Sequence, residues 1–335
     1  MSLLSALRHP ASGDLPVHGQ LPGFTRATGW LNSEPLTPEG LRGQVVAVQF
    51  WTYTCVNWLR TLPYVRAWNE KYGPHGLTIV GVHTPEFGFE RHVDNIGDAA
   101  QEMRVTYPIA IDSDYGVWRD FANHFWPALY VADVDGRIRY THFGEGEYAM
   151  SEMVLQQLLL DAGKVGWEDG LVSVDPQGTE VSANWDDVRS PESYLGYGQA
   201  AGFDSSDGEW FDQPHDYSRP TLGLNRWAPI GNWSYGEKAS LSTAPNARIA
   251  FRFHARDVNL VMGPQPAGSS IPFRVLLDGE PAIDAHGTDV DEQAKGTLDK
   301  QRLYQLIRQR APVRERTFEI EFLDKGAEVY CFTFG

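Results

Sequence analysis

The sequence predicts an α/β domain followed by an all-β sandwich. Three observations carry this expectation. Over residues 1–165, apolar β-branched runs of strand length alternate with helical segments. Residues 166–190 are rich in Gly, Pro and Asp, the composition of a linker. Over 191–335, short alternating segments recur between Gly, Pro, Asn and Asp, which is the texture of a sandwich.

The first domain is organised around Val45–Pro63, VVAVQFWTYTCVNWLRTLP. Val45–Phe50 reads as a buried strand. It feeds Trp51-Thr52-Tyr53-Thr54-Cys55, and a helix follows from Val56 with Pro63 inside it. A cysteine where a strand meets a helix start has the thioredoxin-type geometry. The unpaired N–H groups and the positive end of the helix dipole there favour thiolate over thiol. The position three residues on, where a dithiol motif has its second cysteine, is Trp58. Any chemistry must therefore run on one thiol or find a partner thiol elsewhere.

The remaining elements follow in order. Residues 1–20 read as an extended lead-in, and Leu21–Phe24 with Thr28–Asn32 as a short hairpin carrying Trp30. The helix after Cys55 runs to Tyr72, where Gly73-Pro74 ends it. Leu77–His83 is a second buried strand, and Thr84-Pro85-Glu86-Phe87 the loop at its carboxyl end. Such loops line the ligand crevice of open α/β sheets. His92–Met103 reads as a helix, Pro108–Ile111 as a strand and Tyr115–Phe121 as a helical turn. Ala128–Ala132 and Arg137–Phe143 are strands joined by the turn Asp133–Gly136, and Ser151–Ala162 is a closing helix. The order β-α-β-α-β-β-α is that of thioredoxin-like folds. In the second domain the clearest strands are Arg248–His254, Val258–Met262, Phe273–Leu277, Thr317–Phe322 and Tyr330–Phe334, with a hairpin signal at Leu277-Asp278-Gly279-Glu280.

Composition limits the function. The net charge of −16 argues against nucleic acid as a partner. No run has the length of a membrane span. The start, MSLLSALRHPASGDLP, lacks an adequate apolar core and a cleavage site, so no signal peptide is expected. Two cysteines in 335 residues do not make a secreted disulfide scaffold, and the expectation is a cytoplasmic protein.

The segments FWTYTCVNWLRTLPYVRAW, GVHTPEF and FWPALYVADVDGRIRYTHFGEGEY resemble the TlpA- and DipZ-like redoxin family. RIAFRFHARDVNLVMGP and RLYQLIR…RTFEIEFLDKGAEVYCFTFG resemble the second domain of DipZ-type proteins, a jelly-roll β-sandwich like a carbohydrate-binding module. The resemblance covers nearly the whole chain. Two departures matter. The DipZ pattern has cysteine at the position of Trp58, so dithiol exchange does not carry over. The membrane-embedded, electron-delivering portion of DipZ-type proteins has no counterpart in these residues, so its electron supply does not carry over either.

The resemblance implies further site residues. Trp126-Pro127 matches the family's cis-proline, whose preceding backbone faces the active cysteine. Pro85-Glu86-Phe87-Gly88 loosely resembles the glutathione-peroxidase stretch that supplies a Gln, and Trp126 falls near that family's Trp. A carboxylate raises a thiol's pKa, so Glu86 fits proton shuttling better than activation. Thr52 stands where peroxiredoxins place a Thr, but Val48 replaces their expected proline and that match fails.

Cys55 is thus weighed as a reactive thiol against a buried structural cysteine. Arg60 and Arg66 read as solvated side chains, and His83 and His124 as packed or loop histidines. Without further Cys/His spacing no metal site and no cofactor are expected. Cys331 reads as a buried, inert strand residue. Tyr194, Tyr197, Trp210, Tyr217, Trp227 and Trp233 are the aromatic candidates of the second domain, with core packing favoured for most. Two functions stay open. One is a redox protein using Cys55 alone, with Trp58, Glu86, Trp126 and Pro127 around it, on a small thiol, a peroxide or a protein disulfide. The other is a non-catalytic scaffold with a degenerate redoxin site and a sandwich that holds a glycan or a protein.

Overall fold

The structure is a computed structural model and describes residues 15–335. Residues 1–14, most of the expected lead-in and the stretch on which the signal-peptide expectation rests, lie outside the described residues. The chain divides into two compact units, the first ending at Pro176 and the second running Gln177–Gly335. Among the described residues no helix is long and apolar enough to cross a membrane.

The first unit is an α/β sheet. Its elements are β1 (Gly19–Gln20), β2 (Gly29–Leu31), β3 (Val45–Trp51), α1 (Val56–Tyr72), β4 (Leu77–His83), α2 (Val93–Glu102), β5 (Ile109–Ile111), α3 (Gly116–Asp120), β6 (Ala128–Ala132), β7 (Arg137–Phe143) and α4 (Tyr148–Asp161). The strand order is β1-β7-β6-β3-β4-β5-β2. β3 is central, parallel to β4 and antiparallel to β6. Every residue of β3 is buried, which explains why its apolar run does not alternate: both faces are covered. Val46, Val48 and Phe50 join the core on one face with Val117 and Phe121 of the α3 region. Gln49 faces the other way, toward Trp58 and Thr61 of α1.

The expected hairpin of residues 21–32 does not form. β1 pairs with β7 at one edge of the sheet, and β2 with β5 at the other. Backbone pairing to existing sheet edges satisfies more donors than a two-stranded ribbon, which is marginal by itself. The stretch 166–190 is also fastened rather than loose. The Val172 N–H donates to both oxygens of Glu152 in α4, at 2.8 and 3.0 Å, and Gln156 donates to the Gly170 carbonyl at 2.8 Å. Further on, the carbonyls of Gly178 and Ser182 accept from Arg308 and Arg256 of the second unit.

The second unit is all β: β8 (Ser193–Tyr194), β9 (Pro214–Tyr217), β10 (Arg226–Tyr235), β11 (Ser240–Ser242), β12 (Ala247–Phe253), β13 (Asp257–Pro264), β14 (Ile271–Leu277), β15 (Glu280–Pro281), β16 (Lys295–Leu298), β17 (Arg302–Arg308), β18 (Arg316–Phe322) and β19 (Ala327–Phe334). The main order is β15-β14-β18-β12-β10-β11-β19-β13-β17, all antiparallel, with β8, β9 and β16 added on β19, β10 and β14. This long sheet folds over a core that includes Trp227, Trp233, Phe251, Phe273, Phe318 and Phe332, consistent with a β-sandwich. On β12 and β18 the faces alternate. Ile249 and Phe251 point inward, whereas Arg248 pairs with Glu319 and Glu321 on the other side.

Candidate active site

Cys55 lies just beyond the carboxyl end of the central strand. β3 ends at Trp51, the Cys55 N–H donates to the Thr52 carbonyl at 3.2 Å, and the Cys55 carbonyl accepts from Leu59 at 3.0 Å. The residue is the N-cap of α1, with φ −75° and ψ 108°, and is half-buried. The first N–H groups of α1 therefore open around it without intrahelical acceptors, and α1 has no acidic residue in its first turn. Both cysteines are present as thiols, Cys55 in the first unit and Cys331 in the second.

Trp58 is fully buried. Its ring stacks on Trp51 with centroids 4.3 Å apart, and its Nε1–H donates to Gln49 Oε1 at 3.1 Å. Gln49 Nε2 in turn donates to Thr61 Oγ1 at 2.8 Å, and that hydroxyl donates to the Trp58 carbonyl at 2.8 Å. This closed ring of bonds satisfies a polar residue inside an otherwise apolar strand. Gly81 of β4 makes room beneath it: a Cβ there would lie 2.8 Å from Trp51 Nε1. The place of a resolving thiol is thus filled by packed indole.

Trp126 and Pro127 enter from β6. Phe50 of β3 is opposite Ala128, so Pro127 stands level with Trp51, at the carboxyl end of β3 where Cys55 lies. The Trp126–Pro127 bond is cis. Pro127, Gln49, Thr61, His142 and Ser151 are among the residues lining a cavity of ≈ 20 Å³. The Trp126 ring packs on Trp118 with centroids 4.3 Å apart, and its Nε1 is buried without a hydrogen-bond partner among the described residues.

The loop after β4 contains the acid that sequence reasoning missed. Glu86 is half-buried and contributes its backbone N–H to the arrangement, whereas Glu90 is fully buried. Glu90 Oε1 accepts from the Thr54 N–H at 3.3 Å and from the Thr54 hydroxyl at 2.6 Å. Oε2 accepts from the N–H groups of Glu86 at 2.6 Å and Phe87 at 2.9 Å. Burial pushes the Glu90 carboxyl up, against the pull of these hydrogen bonds. The available signal was a Glu three residues after Phe87, the spacing at which a side chain returns to a turn's first N–H.

His83 is packed, with its ring 4.8 Å from Trp51 and 5.7 Å from Tyr53. Burial pushes it down to about 3, so it is neutral. The expectation of a solvated side chain is overturned for Arg60, whereas Arg66 is half-buried. Arg60 is 1% exposed, and its Nη1 donates to Glu145 Oε1 at 2.7 Å; Arg66 donates to the Met103 carbonyl at 2.8 Å. Arg60 turns inward because Glu145, on the loop after β7, offers it a buried counter-charge that no local pattern reveals. His124 is exposed.

In the second unit Tyr217, Trp227 and Trp233 are core residues. Tyr194 and Tyr197 are half-buried, and Trp210 is exposed and stacked on His215 with centroids 4.7 Å apart. Cys331 is 1% exposed in β19. Among the described residues no three His, Cys, Asp or Glu side chains group to hold a metal.

An α/β sheet of this order, with cysteine as the cap of the helix after the central strand, defines a thioredoxin-like protein. Similarity to known proteins places it further. The family described as "Thioredoxin like C-terminal domain" matches residues 190–335. Protein DipZ of Mycobacterium bovis is 32% identical over 325 residues, covering 95% of this chain and 43% of the relative. Thiol-disulfide oxidoreductase YkuV of Bacillus subtilis is 31% identical over 142 residues, covering 42% of this chain and 95% of the relative. A solved structure of a thioredoxin-like protein in its oxidized form is 30% identical, with a TM-score of 0.40 over 43% of this chain and 97% of that one. The chain belongs to the DipZ/TlpA-like redoxin family of thioredoxin-like thiol–disulfide oxidoreductases. It spans 43% of the length of the DipZ relative.

Proposed function

We propose that the protein is a thiol redox protein that works through Cys55 alone, by mixed-disulfide exchange with a small-molecule or protein disulfide and an outside small thiol. The observation that carries this reading is Cys55 as the N-cap of α1 while Trp58 fills the resolving position. In the forward step the Cys55 thiolate attacks one sulfur of a disulfide R–S–S–R′. A Cys55–S–S–R bond forms, the S–S bond breaks, and R′–S⁻ leaves. With no second thiol in the motif, a thiol from outside attacks the mixed disulfide, takes R as a new disulfide and returns Cys55 as thiolate. The same thiolate attacking a peroxide would give a sulfenic acid and release the other oxygen as hydroxide or alcohol. Trp126, whose buried indole N–H lacks a partner among the described residues, favours keeping this second route.

Peptide-level mass spectrometry tests the reading. Glutathione disulfide should give an adduct at Cys55 that dithiothreitol removes and Cys55→Ser abolishes. Peroxide with dimedone should label the same residue. If Cys55 alkylates no faster at pH 7 than an ordinary thiol of pKa about 8.5, and forms neither adduct, the binding-scaffold reading takes the place of this one.

A further inference from the structure

Glu90 has no charged partner in its hydrogen-bond set, yet it is fully buried beside the cysteine-bearing turn. A buried carboxylate is costly unless hydrogen bonds match it. Here each oxygen serves one loop: Oε1 takes Thr54, the residue before Cys55, and Oε2 takes Glu86 and Phe87. Three of these donors are backbone N–H groups, which cannot turn round to accept. A carboxylate therefore fits, and an amide presenting its NH₂ to either loop does not.

The loop that Oε2 holds is anchored independently. The Tyr115 hydroxyl donates to the Pro85 carbonyl, and Thr84 Oγ1 donates to Asp112 Oδ2 at 3.1 Å. Asp112 in turn accepts from the N–H groups of Val117 and Trp118 at the start of α3. The turn from Thr52 to Cys55 is held at its ends by β3 and α1, and Glu90 adds the side-chain tie from Thr54 to the anchored loop.

We propose that Glu90 is the positioning residue of the Cys55 nucleophile, clamping the cysteine-bearing turn to the anchored loop after β4 and setting the direction from which the thiolate meets a disulfide. The inference rests on the reading of Cys55 as the reacting thiol. Sulfur must attack along the axis of the S–S bond it breaks, so disulfide exchange depends on that direction. Attack on a haloacetamide is also in line, but that reagent is small and can turn to meet the sulfur, whereas a disulfide carries a bulky group on each sulfur. The backbone donors favour the ionised form although burial pushes the carboxyl up, and an ionised Glu90, one residue from Cys55 through Thr54, raises the thiol's pKa. The other groups facing Glu90 are the phenols of Tyr53 and Tyr115, both pushed up by burial. Beyond them are Glu86, Arg91 and Asp112 around Tyr115, and the neutral His83 stacked on Tyr53. None of the two phenols and His83 changes charge between pH 6 and pH 9.

The full chain is compared with Glu90→Gln and Thr54→Val. Exchange with an aromatic disulfide and alkylation by iodoacetamide are each followed at Cys55 against pH, beside a thermal melt. Glu90→Gln should lower the high-pH plateau of exchange about tenfold and that of alkylation by no more than about twofold. Its alkylation midpoint should move to lower pH, because the like charge is gone. Thr54→Val, which removes one hydroxyl and no charge, should lower exchange about threefold without moving the midpoint. A Glu90→Gln protein with the wild-type exchange plateau overturns the proposal, as does an equal fall in exchange and alkylation. If Glu90→Gln does not fold, Thr54→Val decides, and unchanged exchange there overturns it. Wild-type protein that exchanges with no disulfide overturns the reading of Cys55 itself.

Discussion

The indole of Trp58 donates its Nε1–H to Gln49 Oε1 across 3.1 Å, joining the first turn of α1 to the middle of β3. In a dithiol redoxin the same helix position carries a thiol that must reach its neighbour. Here it carries a large ring, stacked on Trp51 and held within a closed set of hydrogen bonds. The exchange of residue type is thus built into the core.

Replacing Trp58 by cysteine should have two opposite effects. Removing the indole leaves a cavity and an unpaired Gln49 oxygen, so stability should fall by about 3–5 kcal/mol in chemical denaturation. A thiol returns at the resolving position, so insulin-disulfide reduction with a dithiol reductant should appear. A folded Trp58→Cys protein that alkylates at Cys55 but reduces no insulin would show that more than the second thiol is missing.

The two thiols should differ in access. Cys331 is 1% exposed within β19, whereas Cys55 is half-buried at a helix end. A thiol-titrating reagent should count one fast thiol in native protein, lost in Cys55→Ser, and a second only after unfolding. Fast reaction of both in the native state would contradict the burial of β19.

His83 should make the fold sensitive to acid. Its folded pKa of about 3 lies below the unfolded value near 6.5, so the unfolded chain binds the extra proton. The stability it contributes is present above pH about 6.5 and is lost as pH falls toward 3, by up to about 1.4 kcal/mol per pH unit. Neither ring nitrogen has a hydrogen-bond partner among the described residues. His83→Phe should therefore match or exceed wild-type stability at pH 7 and flatten the profile between pH 6 and pH 4. Parallel profiles for the two proteins would exclude His83 as the source.

In the second unit Glu321 is buried under two arginines. Its Oε1 accepts from Arg248 at 2.8 Å, and its Oε2 from Arg274. Burial pushes the carboxyl up, but the hydrogen bonds and charges of Arg274 and Arg248 outweigh it and hold the group below the usual carboxylate range. Its contribution is then present above the ordinary pKa near 4.5 and lost as pH falls below it. Glu321→Gln should cost about 1–3 kcal/mol at pH 7 and less at pH 3, as measured by urea denaturation at the two pH values. An equal cost at both would show that packing, not charge, is what was removed.

Much of the fold was legible in local chemistry. The unbroken apolar run of β3 marked a strand covered on both faces, and the change to helical period after Cys55 marked a helix start. The change of texture beyond residue 190 marked an all-β region, although β10, interrupted by Pro229 and Gly231, and β17 went unread. These signals survive in sequence because burial on a strand or a helix face restricts residue type locally, at periods of 2 and 3.6.

The partners of the site's polar residues were not legible. Arg60 looked like a solvated helix residue and is instead buried against Glu145, 85 positions away. Glu90 drew no reading at all from the sequence, and it holds Thr54, 36 positions earlier. Thr28–Asn32 looked like the partner of Leu21–Phe24; instead its strand β2 pairs with β5, and β1, read as lead-in, pairs with β7. Chain-local chemistry is enough to specify a strand, a helix start and a lone cysteine between them. Which charge meets which, and which edge a short strand joins, depends on the order of strands in the sheet. Segments far apart in the chain meet only once that order has formed, and a buried carboxylate is tolerated only where their donors converge on it.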